Sequence, residues 1–487
     1  MNTGDDMRAR SDAASVLVQR MQVKLHRWAG SDPGKKFDDL FNLVCDPDFL
    51  LVAWERVAGN RGAQTPGIDQ VTKETINFWV GAQEFIDHIR GLLRSGTFRP
   101  QPVRRVEIPK GSGSGKIRQL GIPTLADRVV QASLKLVLEP IFEADFAPFS
   151  YGFRPNRRAQ DAIADIHHFA IAGYETVLEA DIKACFDRID HTALMGQVRR
   201  RVSDKRVLAL IKAFLKAGIM TRDGQLIGSK TGTPQGGILS PLLANIALNV
   251  LDEYAAKAWS ERMGTNYQRQ KLIAKGGATW KLIRYADDFV CVIRGTSGHA
   301  ETLKEEIREV LAPLGLEFSE EKTGVVTIDE GFDFLGFTIQ RRRKRGTNKS
   351  YVYTVPSQKS IKSVRSKIAQ ACYRSTLHQD FSELLKRLNR ILGGWANYFR
   401  HGVSKSVFGN IDNYAWQRVW RWLKKKHGRM KIRDMKRRFC INGWQFATAT
   451  TRFTGASTVP VTRYRYRGKN IPNPWNQQPL NIRITAG

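Results

Sequence analysis

Three aspartates in this 487-residue chain lie at positions from which they could bind divalent metal ions. Asp181 ends an apolar, strand-like segment, and Asp287 and Asp288 lie between two apolar half-strands that predict a hairpin. An acid at the end of one strand and two acids at a neighbouring hairpin tip would converge on a small volume. Such carboxylates repel one another and take up protons, whereas Mg²⁺ prefers oxygen ligands and relieves the repulsion. Two ions about 3.5–4 Å apart can activate a hydroxyl and stabilise a leaving phosphate oxygen, which is the chemistry of nucleotidyl transfer.

A third segment, residues 232–241, contains the run Pro234-Gln235-Gly236-Gly237 and leads into an apolar helix. Taken alone, this run is more often a turn than a site, and a Tyr-x-Asp-Asp tetrapeptide is often a plain β-turn. The three segments occur in this order, and each has the local structure that the chemistry needs. Together they therefore indicate an active site for nucleotidyl transfer.

The charge of the chain points to a polyanionic partner. Its 78 Lys and Arg against 46 Asp and Glu give a net charge of +32 and a pI of about 10.2. Residues 1–340 carry 45 basic and 42 acidic residues, whereas residues 341–487 carry 33 basic and only 4 acidic residues, a local excess of +29. Six of the eleven tryptophans also lie in that last part. Basic residues interleaved with aromatic rings suit a surface that follows phosphates and stacks on bases.

Several other classes of protein are disfavoured. No run of 18 apolar residues predicts a membrane-spanning helix, and the polar N-terminus lacks the apolar segment of a signal peptide. The five cysteines are scattered and form no C-x-x-C pair, which indicates a reduced, cytoplasmic compartment and argues against a zinc ribbon.

Periodicity predicts the elements that would position the acids, in an α+β fold. The predicted helices cover most of 8–60, then 82–94, 124–144, 159–171, 192–216, 299–313 and much of 357–430. The predicted strands are a basic hairpin of 103–109 with 116–122, a strand over 175–182, a hairpin over 281–293 and a short single strand over 332–339. Residues 60–69 are predicted to form a loop, and residues 441–487 are predicted to be irregular.

Further motifs occur in a fixed order around these segments. They are Asn60–Asp69, Ile108-Pro109-Lys110, Arg118–Pro123, Asp127–Gln131, Ser150–Pro155, Leu316–Thr323, Phe334–Phe337 and Gly394–Phe399. With them, residues 35–430 resemble the reverse transcriptases encoded by bacterial group II introns, also called maturases. The resemblance implies a right-hand polymerase with fingers, a palm built on an antiparallel sheet and a helical thumb. It implies the following divisions: an N-terminal helical segment 1–34, fingers with an extension loop 35–170, a palm 171–340, a thumb or maturase domain 341–440 and a basic extension 441–487.

The last division is interpreted as a reduced DNA-binding domain or a lineage-specific extension. Many members of the family carry a further DNA-cutting domain with paired cysteines and histidines. In this half of the chain Cys372, Cys440, His378, His401 and His427 lack ligand spacing, so no endonuclease domain is predicted.

The resemblance also implies roles for individual residues. Asp181 and Asp287 resemble ligands of two Mg²⁺ ions, or Mn²⁺, with Asp288 in support and the carbonyl of Ile182 as a further ligand. Phe186 resembles the steric gate that excludes a 2′-OH. The remaining positions are nucleotide contacts and a proton donor to pyrophosphate: Lys110 (or Lys116 in its place) and Arg118 on the triphosphate, Gln235 on the nucleotide and template, and Lys322 as the donor.

The expected partners are dNTPs, an RNA template with a DNA primer, structured group II intron RNA and target DNA, with no membrane. The candidate nucleic-acid contacts are Arg341, Arg342, Arg343, Trp395, Tyr398, Lys424, Lys425 and Lys426. An alternative is a domesticated reverse transcriptase that serves phage defence or DNA repair, since the same polymerase core would serve both. Phe186 disfavours an RNA-dependent RNA polymerase. The sequence leaves the oligomeric state, the cognate intron and the DNA target open.

Overall fold

The computed structural model describes residues 3–109, 117–229, 231–468 and 470–476. Helices α1–α17 span, in order, Thr3–Ser31, Phe41–Val44, Pro47–Ala58, Lys73–Trp79, Ala82–Arg94, Leu125–Glu143, Ala159–Ile171, Cys185–Arg188, His191–Arg199, Lys205–Lys216, Ser240–Lys257, Asn266–Ala274, Ser297–Leu311, Gln358–Ala371, Phe381–Phe399, Lys405–Lys426 and Ile432–Phe439. Strands β1–β13 span Val103–Pro109, Ile117–Ile122, Thr176–Asp181, Ile219–Met220, Leu226–Ile227, Thr279–Tyr285, Asp288–Arg294, Gly324–Thr327, Phe332–Phe334, Phe337–Arg343, Ser350–Pro356, Cys440–Ile441 and Gln445–Phe446. The predicted α+β class is therefore what the chain forms.

A four-stranded antiparallel sheet in the order β6-β7-β3-β8 lies at the centre of the molecule. Its strands are apolar on both faces because both faces are covered. Leu178, Leu282 and Phe289 face one hydrophobic core, which includes α1, α3, α6, α10 and α11. Val177 and Ile283 face a second core, which α7 and the helices α14–α16 complete. The sheet therefore joins the N-terminal part of the chain to the C-terminal helices through its alternating side chains.

The predicted basic hairpin is present as β1 and β2, in a second sheet of order β2-β1-β4-β5. The loop over residues 60–69 contains a short 3₁₀ turn, Arg61–Gln64, and is fastened to the start of α6. The buried side chain of Arg128 donates to the carbonyls of Gly62 (2.7 Å), Thr65 (2.6 Å) and Pro123 (2.9 Å). Arg104 on β1 ties the same loop to the hairpin by donating to the carbonyl of Pro66 at 3.1 and 2.8 Å.

Two of the predicted elements are wrong in detail. The helix predicted over 192–216 is two helices, α9 and α10, because the carboxylate of Asp204 begins a new helix by accepting from the backbone N–H groups of Arg206 and Val207. The single strand predicted over 332–339 is two strands, since Leu335 and Gly336 adopt positive φ and turn the chain between β9 and β10. Strand β10 runs on to Arg343 and pairs with β11, past the predicted palm boundary at 340.

Helices α14 and α15 begin at side-chain caps, and Ser357 caps the first of them by accepting from the backbone N–H of Ser360. Asp380 accepts from the backbone N–H of Ser382 at the start of α15, and the apolar side chains of that helix recur every three or four residues. None of the helices within the described ranges is both long and apolar enough to cross a lipid bilayer. All five cysteines lie within the described ranges and are free thiols.

Residues 462–468 and 470–476, which we call the C-terminal strap, return from the C-terminal helices to the N-terminal part of the chain. The strap starts where the N–H of Thr462 donates to the carbonyl of Arg400 (3.0 Å). The hydroxyls of Tyr464 and Tyr466 donate to Asp161 (2.8 Å) and Asp165 (2.9 Å) on α7. Arg467 donates to both carboxylate oxygens of Asp161, at 2.8 and 2.6 Å. Part of the predicted basic extension is therefore committed to internal contacts.

The strap ends against the first helix. The Trp475 ring is 6% exposed, its centroid lies 5.8 Å from that of His26, and its Nε1 donates to Oε1 of Gln22 at 3.3 Å. Oδ1 of Asn476 lies 3.0 Å from Nε2 of His26. Contacts of this kind join positions about 450 residues apart in the sequence.

We expect Trp475→Ala to release the strap, because loss of a buried Trp side chain typically costs about 3–5 kcal/mol. Thermal unfolding should show a lower midpoint, and limited proteolysis should cut within residues 462–476 first. Trp444→Ala is the matched control: that side chain is 65% exposed, and its loss should cost less than about 0.5 kcal/mol. Equal midpoints for the two variants would contradict the docking of the strap.

Candidate active site

The backbone of the central sheet brings the three predicted aspartates together. Asp181 is the last residue of β3 and lies directly opposite Asp288, the first residue of β7. Asp287 precedes it in the two-residue turn of Ala286 and Asp287 that joins β6 to β7, which we call the catalytic turn and in which Ala286 has a φ of +59°. Directly opposed residues of antiparallel strands have Cα atoms about 4.5–5.5 Å apart. The predicted convergence of a strand end and a hairpin tip is therefore confirmed, and the three positions define one candidate catalytic site.

The electrostatics of this site favour a bound cation or a proton. Burial raises the pKa of Asp287, and the charge of Asp181 raises it further, while Arg118 and Lys322 act in the opposite direction. Desolvation, together with the charges of Asp287 and Asp181, raises the pKa of Asp288 to about 6. Carboxylates that repel one another in this way are the ligands that a divalent ion stabilises.

The donor chemistry of the site fits Mg²⁺ or Mn²⁺, because the available ligands are carboxylate and carbonyl oxygens. Across the part of the chain that the structure describes, no three Asp, Glu, His or Cys side chains stand in an arrangement ready to hold a metal ion. Oδ2 of Asp181 instead accepts from the ammonium group of Lys322 at 2.7 Å. The predicted Lys322 is thus at the site, as a counter-ion to Asp181. The side chain of Ile182 is buried and its backbone pairs with Phe318, so residue 182 is firmly held.

A buried network that no sequence motif indicated holds the catalytic turn. Arg284 on β6 is fully buried and donates to the carbonyl of Ala286 (2.9 Å) and to Oδ1 of Asn245 (3.0 Å). Its Nε donates to Oδ1 of Asp252 (2.8 Å), and a second bond joins its NH2 group to the same carboxylate. The sequence does contain a signal that could have revealed this network. Arg284 is a charged residue inside an apolar strand, and Asn245 and Asp252 are polar residues seven positions apart on the apolar helix α11.

The predicted segment Ser150–Pro155 lies against the same turn. The N–H of Tyr151 donates to the carbonyl of Arg284 (2.8 Å), and the side chain of Asn245 donates to the carbonyl of Gly152 (2.9 Å). A Cβ on Gly152 would lie 2.8 Å from the carbonyl carbon of Tyr285 and would collide with the N–H of Ala286. Gly152 therefore permits a backbone-to-backbone contact that a side chain would prevent.

The segment around Gln235 connects the predicted gate to the basic hairpin. The N–H of Thr233 donates to the carbonyl of Phe186 at 2.6 Å, and Nε2 of Gln235 donates to Asp187 at 3.2 Å. The N–H of Gly121 donates to the carbonyl of Gln235 at 2.7 Å. Phe186 and Gln235, predicted from separate motifs, are thus neighbours in the structure.

The basic hairpin supplies a further predicted residue. Arg118 is exposed on β2, and its charge lowers the pKa of Asp287 against the larger effect of burial. Lys110 and Lys116 lie outside the described residues.

The predicted nucleic-acid contacts on β10 are not equally accessible. The Arg341 guanidinium lies between two carboxylates, 2.6 Å from Glu175 and 3.3 Å from Asp329, whereas Arg342 and Arg343 are exposed. Nε of Arg342 donates to Gln340 (2.7 Å), and Nε of Arg343 donates to the carbonyl of Thr347 (2.8 Å). Arg342 and Arg343 therefore offer more to a phosphate than Arg341 does.

The two aromatic candidates on α15 are partly internal. The Trp395 ring is half-buried against Phe399 and Phe408, with centroid distances of 4.9 and 5.6 Å. The Tyr398 hydroxyl donates to the carbonyl of Leu335 at 2.9 Å, and the side chain keeps partial exposure. Both rings help to join α15 to its surroundings.

The three lysines at the end of α16 have different environments. Lys424 and Lys425 are exposed, and the ammonium of Lys424 lies 6.0 Å from the centre of the Trp420 ring. The ammonium of Lys426 instead donates to the carbonyls of Leu377 (2.8 Å) and Gln379 (2.5 Å). The last lysine of the run is therefore engaged in holding the α14–α15 connection.

Comparison with known proteins identifies two families along the chain. Residues 108–339 match the reverse transcriptase (RNA-dependent DNA polymerase) family, and residues 361–440 match the maturase-specific domain of group II introns. The chain is 37% identical to protein YkfC of Escherichia coli over 363 residues, which cover 71% of this chain and 94% of YkfC.

It is also 33% identical to the group II intron-encoded protein LtrA of Lactococcus lactis over 381 residues, which cover 67% of this chain and 62% of LtrA. A solved structure of telomerase from Candida albicans with a fragment of telomeric RNA aligns with a TM-score of 0.38 and 12% identity. That alignment covers 69% of this chain and 63% of the telomerase chain, and its score is too low to establish a shared fold.

We expect Gly152→Ala to lower the rate of primer extension by about a hundredfold, because a displacement of about 1 Å at reacting groups costs that much. The added methyl group must push the turn that carries Asp287. Gly196→Ala on α9 is the control, since a Cβ there meets nothing within 4 Å and the rate should be unchanged. Wild-type rates in a folded Gly152→Ala protein would contradict the close contact described above.

Proposed function

The chain belongs to the reverse transcriptases and maturases encoded by group II introns, and we propose that it copies RNA into DNA by nucleotidyl transfer at Asp181, Asp287 and Asp288. The observation that carries the proposal is the pairing of Asp181 with Asp288 across β3 and β7, with Asp287 in the adjoining turn. Three carboxylates at one edge of a sheet have little structural purpose, because their repulsion opposes folding. Their use is to bind cations that the reaction needs.

In this proposal Asp181 and Asp287 hold two metal ions, with Asp288 and the carbonyl of Ile182 in support. Bound Mg²⁺ or Mn²⁺ supplies Lewis acidity to the attacking hydroxyl and to the leaving phosphate oxygen. Lys322 lies 2.7 Å from Asp181, so its ammonium group is available at the site to donate a proton to the departing pyrophosphate. The raised pKa values of Asp287 and Asp288 make metal binding compete with protonation.

Selection of the nucleotide falls to the residues around the aspartates. Phe186 presents a half-buried ring that contacts Phe153, the residue after Gly152, which lies against the catalytic turn. A ring under the sugar leaves no room for a 2′-OH. Arg118 on β2, with Lys110 or Lys116 as predicted from the sequence, grips the triphosphate, and an arginine does so with paired hydrogen bonds. Gln235, held by its contact with Asp187, lies against the nucleotide and the template base.

Binding of RNA is assigned to the C-terminal part of the chain. In our proposal the divisions predicted from the sequence correspond to fingers, palm, thumb and a basic extension, and the thumb and its surroundings grip the primer–template duplex and structured intron RNA. The excess of +29 over residues 341–487 supports this assignment, since phosphate contacts dominate the affinity for nucleic acid. Target DNA is a further proposed partner, and the cytoplasm of a bacterial cell is the proposed location.

Asp287→Asn should reduce DNA synthesis on an RNA template by about a thousandfold or more, since charge stabilisation by bound metal is worth several kcal/mol. Primer extension with dNTPs and Mg²⁺ measures the loss. Asp38→Asn is the matched control, because this carboxylate is exposed on the N-terminal part of the chain. If both variants extended primers at the wild-type rate, the assignment of the site would be wrong.

The lysines at the end of α16 can be separated by their effects. Replacing Lys424 and Lys425 with Ser should weaken binding of duplex RNA. The slope of the logarithm of the binding constant against the logarithm of the salt concentration should become shallower by roughly 0.7–0.9 for each phosphate that the variant no longer neutralises. Lys426→Met should instead lower the thermal midpoint, because its ammonium group holds two carbonyls. Filter binding over a range of salt concentrations measures the first effect, and thermal unfolding measures the second. An unchanged salt slope in the double variant would remove this patch from the binding surface.

A further inference from the structure

Phe153 combines features that packing does not explain. Its φ is +59°, in the left-handed region of the backbone that residues other than Gly and Asn rarely adopt. Its side chain is nevertheless 48% exposed, so the strained backbone does not serve to bury the ring. Backbone strain of this kind persists where the surroundings over-determine it, and it concentrates at functional sites.

The surroundings of Phe153 do hold it from both sides. Gly152 lies against the backbone of Tyr285 and Ala286, immediately before the catalytic Asp287. On the other side, Arg154 is buried and donates to Glu143 at 2.7 and 2.9 Å and to the carbonyl of Ser150 at 2.7 Å. The ring of Phe153 is therefore presented from a fixed point beside the catalytic turn.

The ring of Phe153 contacts the ring of Phe186, the predicted steric gate. The Phe153 and Phe186 ring centroids lie 6.2 Å apart with an interplanar angle of 76°, an edge-to-face contact. Phe186 needs such support, because it lies on α8, a helix of four residues, and its own ring is only half-buried. A ring that rejects a hydroxyl by steric contact must resist being pushed aside, and a second ring packed against it provides that resistance.

We propose that Phe153 is a positioning residue for nucleotide selection, which holds the Phe186 ring in the orientation that excludes a 2′-OH. The proposal rests on the proposed function, since it concerns how the same site distinguishes dNTPs from rNTPs. It adds to that function a second aromatic ring, from a segment that supplies no metal ligand. Phe153 acts through Phe186, so its loss should affect selectivity more than the rate of chemistry.

The test measures kcat/KM for a dNTP and for the matching rNTP with wild type, Phe153→Ala, Phe153→Gly, Phe153→Tyr and Phe186→Ala. We expect Phe153→Ala and Phe153→Gly to lower the dNTP preference about tenfold, within the range that an edge-to-face pair can supply. The loss should come from a lower KM for the rNTP, with kcat for the dNTP within about threefold of wild type. Phe153→Tyr should retain the preference, because the ring remains.

The glycine variant separates the ring from the backbone. Glycine adopts positive φ without strain, so Phe153→Gly should unfold at a higher temperature than Phe153→Ala while losing selectivity equally. A wild-type dNTP preference in both variants, beside a loss in Phe186→Ala, would overturn this proposal alone. A wild-type protein that extends no primer would overturn the proposed function, and this proposal with it.

Discussion

The guanidinium of Arg284 is completely buried, and the geometry of the site depends on where it is held. It pairs with the equally buried carboxylate of Asp252 and reaches the carbonyl of Ala286 at 2.9 Å, one residue before Asp287. An unpaired charge at this depth would cost several kcal/mol, so the pair is stable only when both partners are in place. The position of the catalytic turn is consequently tied to helix α11, which carries Asp252. The turn cannot move without exposing Arg284 to solvent or leaving one member of the pair buried without its partner.

The same network explains why segments distant in sequence meet at the aspartates. Asn245, two helical turns before Asp252 on α11, accepts from Arg284 and donates to the carbonyl of Gly152. The loop that carries Gly152 therefore shares its anchor with the turn that carries Asp287. The central sheet adds a second level of coupling, since its alternating side chains enter both hydrophobic cores. The strand ends that carry the acids are therefore packed between both cores.

Local patterns predicted the parts of this arrangement that are locally determined. Helices 82–94 and 159–171 end where their apolar periodicity ends, and Asp181 and Asp288 meet because two apolar strands must lie side by side. Local patterns failed where an element depends on a partner distant in sequence. The break before Lys205 is set partly by the local cap that Asp204 provides and partly by its bonds to the N–H groups of Leu40 and Phe41, more than 160 residues away. The Arg284–Asp252 pair was missed because the charged residue in the apolar strand signals a buried pair, but its partner lies 32 residues away on another element.

The net charge of +32 overstates how many basic side chains are free to bind a phosphate. Arg341 is paired with two carboxylates, Arg467 with Asp161, and Lys426 with two carbonyls, so these cations already have partners inside the protein. A guanidinium that leaves a carboxylate for a phosphate must also leave the carboxylate unpaired, and the exchange gains little. The number of counterions released on binding RNA should therefore be smaller than the number of basic residues suggests. Charge over residues 341–487 supports the proposed nucleic-acid-binding region, and Lys424 and Lys425 are basic side chains that the fold leaves exposed there.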